Sequence, residues 1–557
     1  MTATRPAIKL ARRLIASSFT SETISALLFV GLLIIFEMLV LNVSLGSYFA
    51  KLAQKEYAIG LAGLLLVCVF WVWTVLFVRT SLISDPGTRW FCLLLFLLAL
   101  LVEYGYQNAF SRFTTVEDLR VALFDATNEQ RRGSILAYAD WRALIPGLAY
   151  AILLFKFRVR RQHSWKMIGL LIILLAGFYS ALSPFTSGQA PTISFNAFLR
   201  TAILSPWKWA ASYHGPREAI SFRAAKPPQN NVIIVLDESV RGDHLRINGY
   251  SRDISPSLDQ LLAQGWLYNW GIAVSGGTCS EKSDSLLFTG MTLAELPDTT
   301  FQMRRRPNIF QYAKAMGYQT HFLDGQKDTY WLGTSYDQQY VDDWQSLAGR
   351  RDSFDIDAEI ARRISTIANS STGHFIWVIK RGVHYPYSSN FPAATGTEWQ
   401  PSDAYETSID PAARERLVNT YDNALKYNLE SFFRALDVSS WTRHNLLVYT
   451  SDHGQTLSER GERYTHCGTS LDTAPAEANV PLFIISREPL SVDTSFRASH
   501  ENIFATLLDL MSFPKPDRHY PHGASLLEAR GADSSPRSFW VGDLNERAFN
   551  GRLPFDR

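Results

Sequence analysis

At 557 residues the chain is too long for one ordinary hydrophobic core and calls for at least two domains. Its mean hydropathy of −0.04 averages an apolar first third with a soluble remainder. With 54 basic against 52 acidic residues, it lacks the strongly basic balance of a nucleic-acid binder.

Five apolar segments of bilayer-spanning length, about 17–25 residues each, are predicted near 22–46, 57–81, 89–108, 141–157 and 166–185. The first has too long an apolar run, and no small-residue cleavage site, to be a signal peptide. Arg5, Lys9, Arg12 and Arg13 precede the first segment, and Lys156, Arg158, Arg160, Arg161 and Lys166 lie between the fourth and fifth. Five spans place both basic groups on the cytoplasmic side and everything after residue 185 outside. Residues 109–140 then lie outside, with Val116, Leu119, Val121 and Leu123 near helical spacing. They suit either a helix on the membrane surface or a solvated connecting helix. Proline, glycine and serine in 186–228 indicate a linker with short helices.

From residue 229 the pattern becomes α/β. Apolar runs at 232–236, 320–323, 374–379, 445–450 and 480–485 alternate with helical stretches, which predicts buried strands of a mostly parallel sheet. In such sheets ligands gather beyond the carboxyl ends of the strands. The first run ends in Asp237-Glu238-Ser239, the third leads to His384, and the fourth ends in Ser451-Asp452-His453-Gly454. The turn Ser275-Gly276-Gly277-Thr278 opens a helix reaching Leu287. Singly, each motif is commonplace as a helix cap, a loop or a satisfied histidine. Together, in this order, the carboxylates and imidazoles supply the oxygen and nitrogen donors of a divalent cation such as zinc. A hydroxyl at a helix N-terminus beside it becomes a candidate nucleophile. Cys68 and Cys92 lie in apolar runs, so Cys279 and Cys467 allow at most one disulfide in the soluble part. Its stability is expected to come from its core.

The stretch NNVIIVLDESVRGDHLRINGYSRDISPSLDQL (230–261), with SGGT (275–278), HYPYSSNFP (384–392), TYDNALKYNLESFFRAL (420–436), SDHGQTLSERG (451–461) and HCG (466–468), resembles the bacterial phosphoethanolamine transferases. The resemblance implies an N-terminal all-α transmembrane bundle of five helices (1–185), a linker (186–228) and a periplasmic sulfatase-like, alkaline-phosphatase-like α/β domain (229–557) in the inner membrane. It further implies Glu238, Asp452 and His453 as zinc ligands, Thr278 as nucleophile and fourth ligand, and one tightly bound zinc with room for a second. His384 and His466 would hold the phosphoryl group or a second metal and protonate the leaving alkoxide. Lys327 would bind substrate phosphate.

The implied reaction moves phosphoethanolamine from phosphatidylethanolamine, through phosphothreonine, to a lipopolysaccharide, lipid A or glycan acceptor. The enzyme would act as a monomer among membrane lipids, without nucleic acid. Asp237 stands where the family has glycine, and CSEKSD follows Thr278 where the family has small apolar residues and proline. The several disulfides of the lipid A enzymes cannot form. The rival readings are a phosphoglycerol transferase using phosphatidylglycerol and a sulfatase-like hydrolase. Cys279-Ser280-Glu281-Lys282-Ser283 lacks the proline or alanine and the arginine of a formylglycine motif, which disfavours a sulfatase.

Overall fold

The computed structural model describes residues 20–41, 57–110, 113–114, 140–158, 164–182, 193–211, 213, 215–326, 336–348, 354–392, 394, 397–401, 411–462, 465–468, 472–531, 536–545 and 551–556. They fall into two units, Met1–Ser212 and Tyr213–Arg557.

The first unit is helical: α1 (Ser21–Val40), α2 (Tyr57–Leu82), α3 (Pro86–Phe110), α4 (Leu144–Lys156), α5 (Ser164–Leu182) and α6 (Ser194–Ala211). Phe29, Phe70, Phe77, Phe96 and Tyr150 pack at its centre, while Leu28, Leu32, Ile152 and Ile173 point outward. Helices apolar on both inner and outer faces suit a lipid surrounding. Two helical stretches, Ser21–Val40 and Pro86–Gln107, are long and apolar enough to cross a membrane. Val67–Leu82 and Trp165–Ala176 are shorter apolar stretches. The fourth predicted span is 13 residues long as a helix, about 20 Å against a hydrocarbon core of roughly 30 Å. A single 3-10 turn, Trp141–Ala143, leads into it and is capped by Asp140, which accepts from the Arg142 amide at 2.9 Å. The five predicted spans are thus the five helices α1–α5, of 20, 26, 25, 13 and 19 residues, and only the fourth falls short of the required length. Residues 111–112 and 115–139, most of the predicted surface segment, lie outside them. The predicted linker contains an 18-residue helix, α6, because Ile193, Phe195 and Leu199 bury into the helical core.

The second unit carries a seven-stranded sheet in the order β2-β7-β6-β1-β5-β3-β4. The strands are β1 (Asn231–Asp237), β2 (Leu267–Val274), β3 (Gln319–Asp324), β4 (Asp343–Ser346), β5 (His374–Ile379), β6 (Asn445–Ser451) and β7 (Asn479–Ser486). The strands β6, β1, β5, β3 and β4 run parallel, and β7 is antiparallel to both β6 and β2. Side chains alternate between faces as the pleat requires. Ile233 and Val235 pack on α11 (Ile356–Ser370) and α12 (Arg414–Leu436). Val232 and Ile234 face α10 (Ile309–Ala315) and α13 (Ile503–Leu510). The remaining helices of this unit are α7 (Pro256–Ala263), α8 (Ser280–Thr289) and α9 (Gln302–Arg305), and a hairpin of β8 (Ser538–Val541) and β9 (Gly551–Pro554) follows.

The five apolar runs are β1, β3, β5, β6 and β7. The two unforeseen strands are the edges. β2 contains Asn269 and Gly271 and is interrupted by an irregularity between Asn269 and Ile272. β4 is four half-buried residues, Asp-Trp-Gln-Ser. Neither shows the continuous apolar run of a central strand.

Candidate active site and metal centre

The carboxyl ends of β1, β5 and β6 lie side by side, since Leu236 pairs with Ile379 and Asp237 with Ser451. β2 runs in the same direction, so the turn after Val274 emerges at the same end. Glu238, Asp452 and His453 are buried there, with one ligand atom from each within 4.8 Å of the others.

Their hydrogen bonds decide which atoms stay available. His453 Nδ1 donates to the Gly454 carbonyl at 2.6 Å, which leaves the Nε2 lone pair inward. Asp452 Oδ1 accepts from the amides of Ser239 (3.1 Å) and His453 (2.7 Å). Its Oδ2 is buried and accepts no hydrogen bond. His453 Nε2 lies 3.5 Å from Glu238 Oε1 and 3.4 Å from Asp452 Oδ2. Four ligands at zinc distances of about 2.0–2.2 Å in a tetrahedron stand about 3.4 Å apart. The donor set and spacing therefore fit zinc.

The Ser280 hydroxyl lies beside this cluster. Its Oγ lies 3.3 Å from Glu238 Oε2 and 3.4 Å from His453 Nε2. Thr278 does not reach the cluster by any hydrogen bond: its hydroxyl donates to the Gly468 carbonyl at 3.2 Å. The expected helix does begin here, but its cap is Cys279 and its first residue is Ser280. The hydroxyl at the helix N-terminus is accordingly Ser280's, two positions beyond the predicted nucleophile.

Burial, and then the charge of Glu238, hold the Asp452 carboxyl well above its usual value. Burial pushes His453 below the ordinary imidazole value, and burial with the neighbouring His453 and His384 pushes His466 further down. No lysine or arginine among the described residues pairs with Glu238 or Asp452. Against burial, the nearby His453, His384 and His466 draw Glu238 down to about 2. Two carboxylates buried side by side cannot both ionise without a large cost. A bound cation removes that cost.

The loop after Glu238 is held from α12. Ser239 takes a left-handed φ of 63°. Tyr421 fixes it, donating to the Ser239 carbonyl at 3.0 Å and accepting from the Arg241 amide at 2.9 Å. Neighbouring Asp422 binds His244 (2.8 Å), Tyr250 (2.7 Å) and Arg252 (2.8 Å). The two sequence blocks around 241–252 and 420–422 are thus halves of one support. Asp237, in place of the family's glycine, is neutralised by buried Lys380, which lies 3.7 Å from Asp357. Gly382 passes so close that a Cβ there would meet Asp237 Oδ1 at 2.6 Å and the Glu238 amide at 2.7 Å.

His466 stacks on His453 with ring centroids 4.5 Å apart, and His384 lies 5.7 Å from His466. His384 Nδ1 donates to the Tyr385 carbonyl at 2.7 Å. Lys327 lies outside the described residues. Cys279 and Cys467 form a disulfide, so one covalent staple supplements the core that was expected to suffice. His500, absent from the expected set, accepts from the Gly276 amide at 3.3 Å beneath the turn. Its only sequence signal is one histidine before an α-helix.

The family model described as "Sulfatase" matches residues 230–513, just over half of the chain. The Kdo(2)-lipid A phosphoethanolamine 7''-transferase of Salmonella typhimurium is 22% identical over 298 residues. That match covers 52% of this chain and 49% of the relative, so the chain spans about half the length of that protein. The phosphoethanolamine transferase EptA of Helicobacter pylori is 21% identical over 86% of this chain and 93% of its own. The integral membrane lipooligosaccharide phosphoethanolamine transferase A of Neisseria meningitidis superposes with a TM-score of 0.58 at 18% identity, covering 87% of this chain and 95% of that one. It shares the fold. The chain belongs to the sulfatase family and is a distant relative of the bacterial phosphoethanolamine transferases.

Proposed function

We propose that the chain transfers phosphoethanolamine from phosphatidylethanolamine to a lipopolysaccharide, lipid A or glycan acceptor through a covalent phosphoserine at Ser280. The observation that carries this is the Ser280 hydroxyl, 3.3–3.4 Å from Glu238 and His453 at the N-terminus of α8. In this reading Glu238, Asp452, His453 and Ser280 hold one zinc ion. Zinc, when bound, supplies a positive charge that favours the serine alkoxide and offsets charge on the phosphoryl oxygens.

Ser280 Oγ attacks the donor phosphorus, and the bond to the diacylglycerol oxygen breaks. His384 hands the leaving oxygen a proton through Nε2, because Nδ1 is engaged by Tyr385. His466, lowered by desolvation and by the neighbouring His453 and His384, orients a phosphoryl oxygen or serves a second metal. Lys327 is assigned to donor phosphate from the resemblance. Backbone N–H groups at the start of α8 face the phosphoryl oxygens. The acceptor oxygen then attacks phosphoserine and frees Ser280. In this reading Thr278 braces the turn through Gly468.

The apolar helices of the first unit support an inner-membrane anchor with a periplasmic catalytic unit, since the donor's acyl chains stay in the bilayer. The domain limits proposed are 1–185 for the anchor, 186–228 for the connection and 229–557 for the catalytic part.

The test is to incubate the full-length protein in detergent with zinc and head-group-labelled phosphatidylethanolamine, then fragment the peptide spanning residues 275–282. A phosphoethanolamine adduct on Ser280 is expected. An adduct on Thr278 overturns the serine assignment. An adduct formed only from phosphatidylglycerol makes the enzyme a phosphoglycerol transferase, and release of head-group phosphate at the turnover rate without acceptor makes it a hydrolase.

A further inference from the structure

Cys279 and Cys467 are joined across 188 positions, with Cα atoms 4.8 Å apart. Cys279 caps α8 and directly precedes Ser280. Cys467 directly follows His466 and holds a left-handed φ of 64°, which residues other than glycine rarely adopt. The Cys467 amide donates to the Thr278 carbonyl at 2.8 Å, and Thr278 Oγ1 donates back to Gly468 at 3.2 Å. One covalent bond and two hydrogen bonds thus cross between two loops, all within two residues of Ser280 and His466.

Both loops are anchored to the fold without this bond. The Ser275 amide donates to Ala478 at 2.9 Å, and the Trp540 amide to Gly276 at 3.0 Å. On the other side, the Gly468 amide donates to buried Glu477 at 2.7 Å. What those contacts leave adjustable is the last stretch, residues 277–280 against 465–468. Thr278 and Gly468, which carry the two crossing hydrogen bonds, are buried, whereas both cysteines, Ser280 and His466 are half-buried, so the disulfide is the tie directly beside the two reacting side chains.

We propose that the Cys279–Cys467 disulfide is a positioning clamp that sets the Ser280 hydroxyl in register with His466 for phosphoryl transfer. The inference rests on Ser280 being the nucleophile. The clamp acts through its neighbours and touches no substrate. A displacement of about 1 Å at such a site costs up to roughly a hundredfold in rate. An oxidising periplasm keeps such a bond formed.

The experiment compares wild type, wild type reduced by dithiothreitol, and the double variant C279S/C467S, all as full-length protein with zinc. Reduction converts the disulfide and one dithiol into two protein thiols and a cyclic disulfide, counted by mass spectrometry. The readouts are kcat, KM, zinc per chain, thermal unfolding and amide hydrogen exchange. The clamp predicts a kcat fall of about tenfold to a hundredfold with KM changed less than about twofold. Zinc content and the folded state persist at assay temperature. Exchange rises at 276–280 and 465–468 but not in β1 or β6, and reoxidation restores kcat. An unchanged kcat with both thiols free overturns the proposal, as does a loss that tracks zinc release or global unfolding. Should wild type transfer nothing from any lipid, the functional reading fails separately and exchange decides. A rise confined to those two loops supports the clamp, and its absence overturns it.

Discussion

The two ends of the second unit's sheet carry clusters of similar composition and opposite character. Toward the amino ends of β3 and β5, His321 Nδ1 meets Asp343 at 3.0 Å and Nε2 meets His374 Nδ1 at 3.0 Å. His374 Nε2 meets Ser371 Oγ at 2.9 Å. Every ring nitrogen has a protein partner. At the carboxyl ends, Glu238, Asp452, His453 and Ser280 contain the same chemistry, yet Asp452 Oδ2 has no hydrogen bond and His453 Nε2 faces two carboxylates. Residue type does not distinguish a structural cluster from a metal centre; the unmet lone pairs do.

That contrast is sharpest at the proposed fourth ligand. Replacing Ser280 by alanine is expected to lower transfer about 10⁴-fold, whereas Thr278→Ala removes one hydrogen bond to Gly468 and costs about tenfold. Single-turnover assays on both variants check this, and reversed magnitudes would return the nucleophile to Thr278. One layer out, Tyr421→Phe strips the Ser239 carbonyl and the Arg241 amide of their shared partner. Zinc affinity should fall about tenfold, read by competition with a chelating dye.

A fourth variant probes burial at the same end without touching the ligands. Glu477 is pushed up to about 8 by burial, so the folded chain holds a proton that the unfolded chain has already released. Stability is then greatest below the unfolded value and declines as pH rises through the window from 4.5 to about 8. Glu477→Gln removes that slope. Its melting temperature should exceed that of wild type at pH 8 and match it near pH 5, and an unaltered slope would contradict the assignment. The smallest effect belongs to the opposite end. His374→Ala should lower stability by about 1–3 kcal/mol and leave zinc content untouched, and any zinc loss would erase the distinction between the two clusters.

Much of this was legible in the residues. Glu238, Asp452 and His453 each lie within three residues of the end of an apolar run, and the pattern of such runs locates the end of a central strand. The edge strands β2 and β4 escaped because a half-solvated strand keeps polar residues. The proposed place of Ser280 was hidden for a different reason: a small-residue turn before a helix does not reveal which residue becomes the first helical one. The carboxylate Glu281, in the first turn of α8, was the available signal, since acids favour that position. Hydropathy located the five helices α1–α5 of the first unit but not the shortness of the fourth. The departure at Asp237 became intelligible only with Lys380, 143 positions away, folded against it.

X-ray absorption at the zinc edge of the purified full-length protein, with metal content measured alongside, is the most direct test. One zinc per chain is expected, coordinated by one nitrogen and three oxygens, with one oxygen lost in Ser280→Ala but not in Thr278→Ala. A chain that binds no zinc, or whose zinc environment is indifferent to Ser280, would contradict the account.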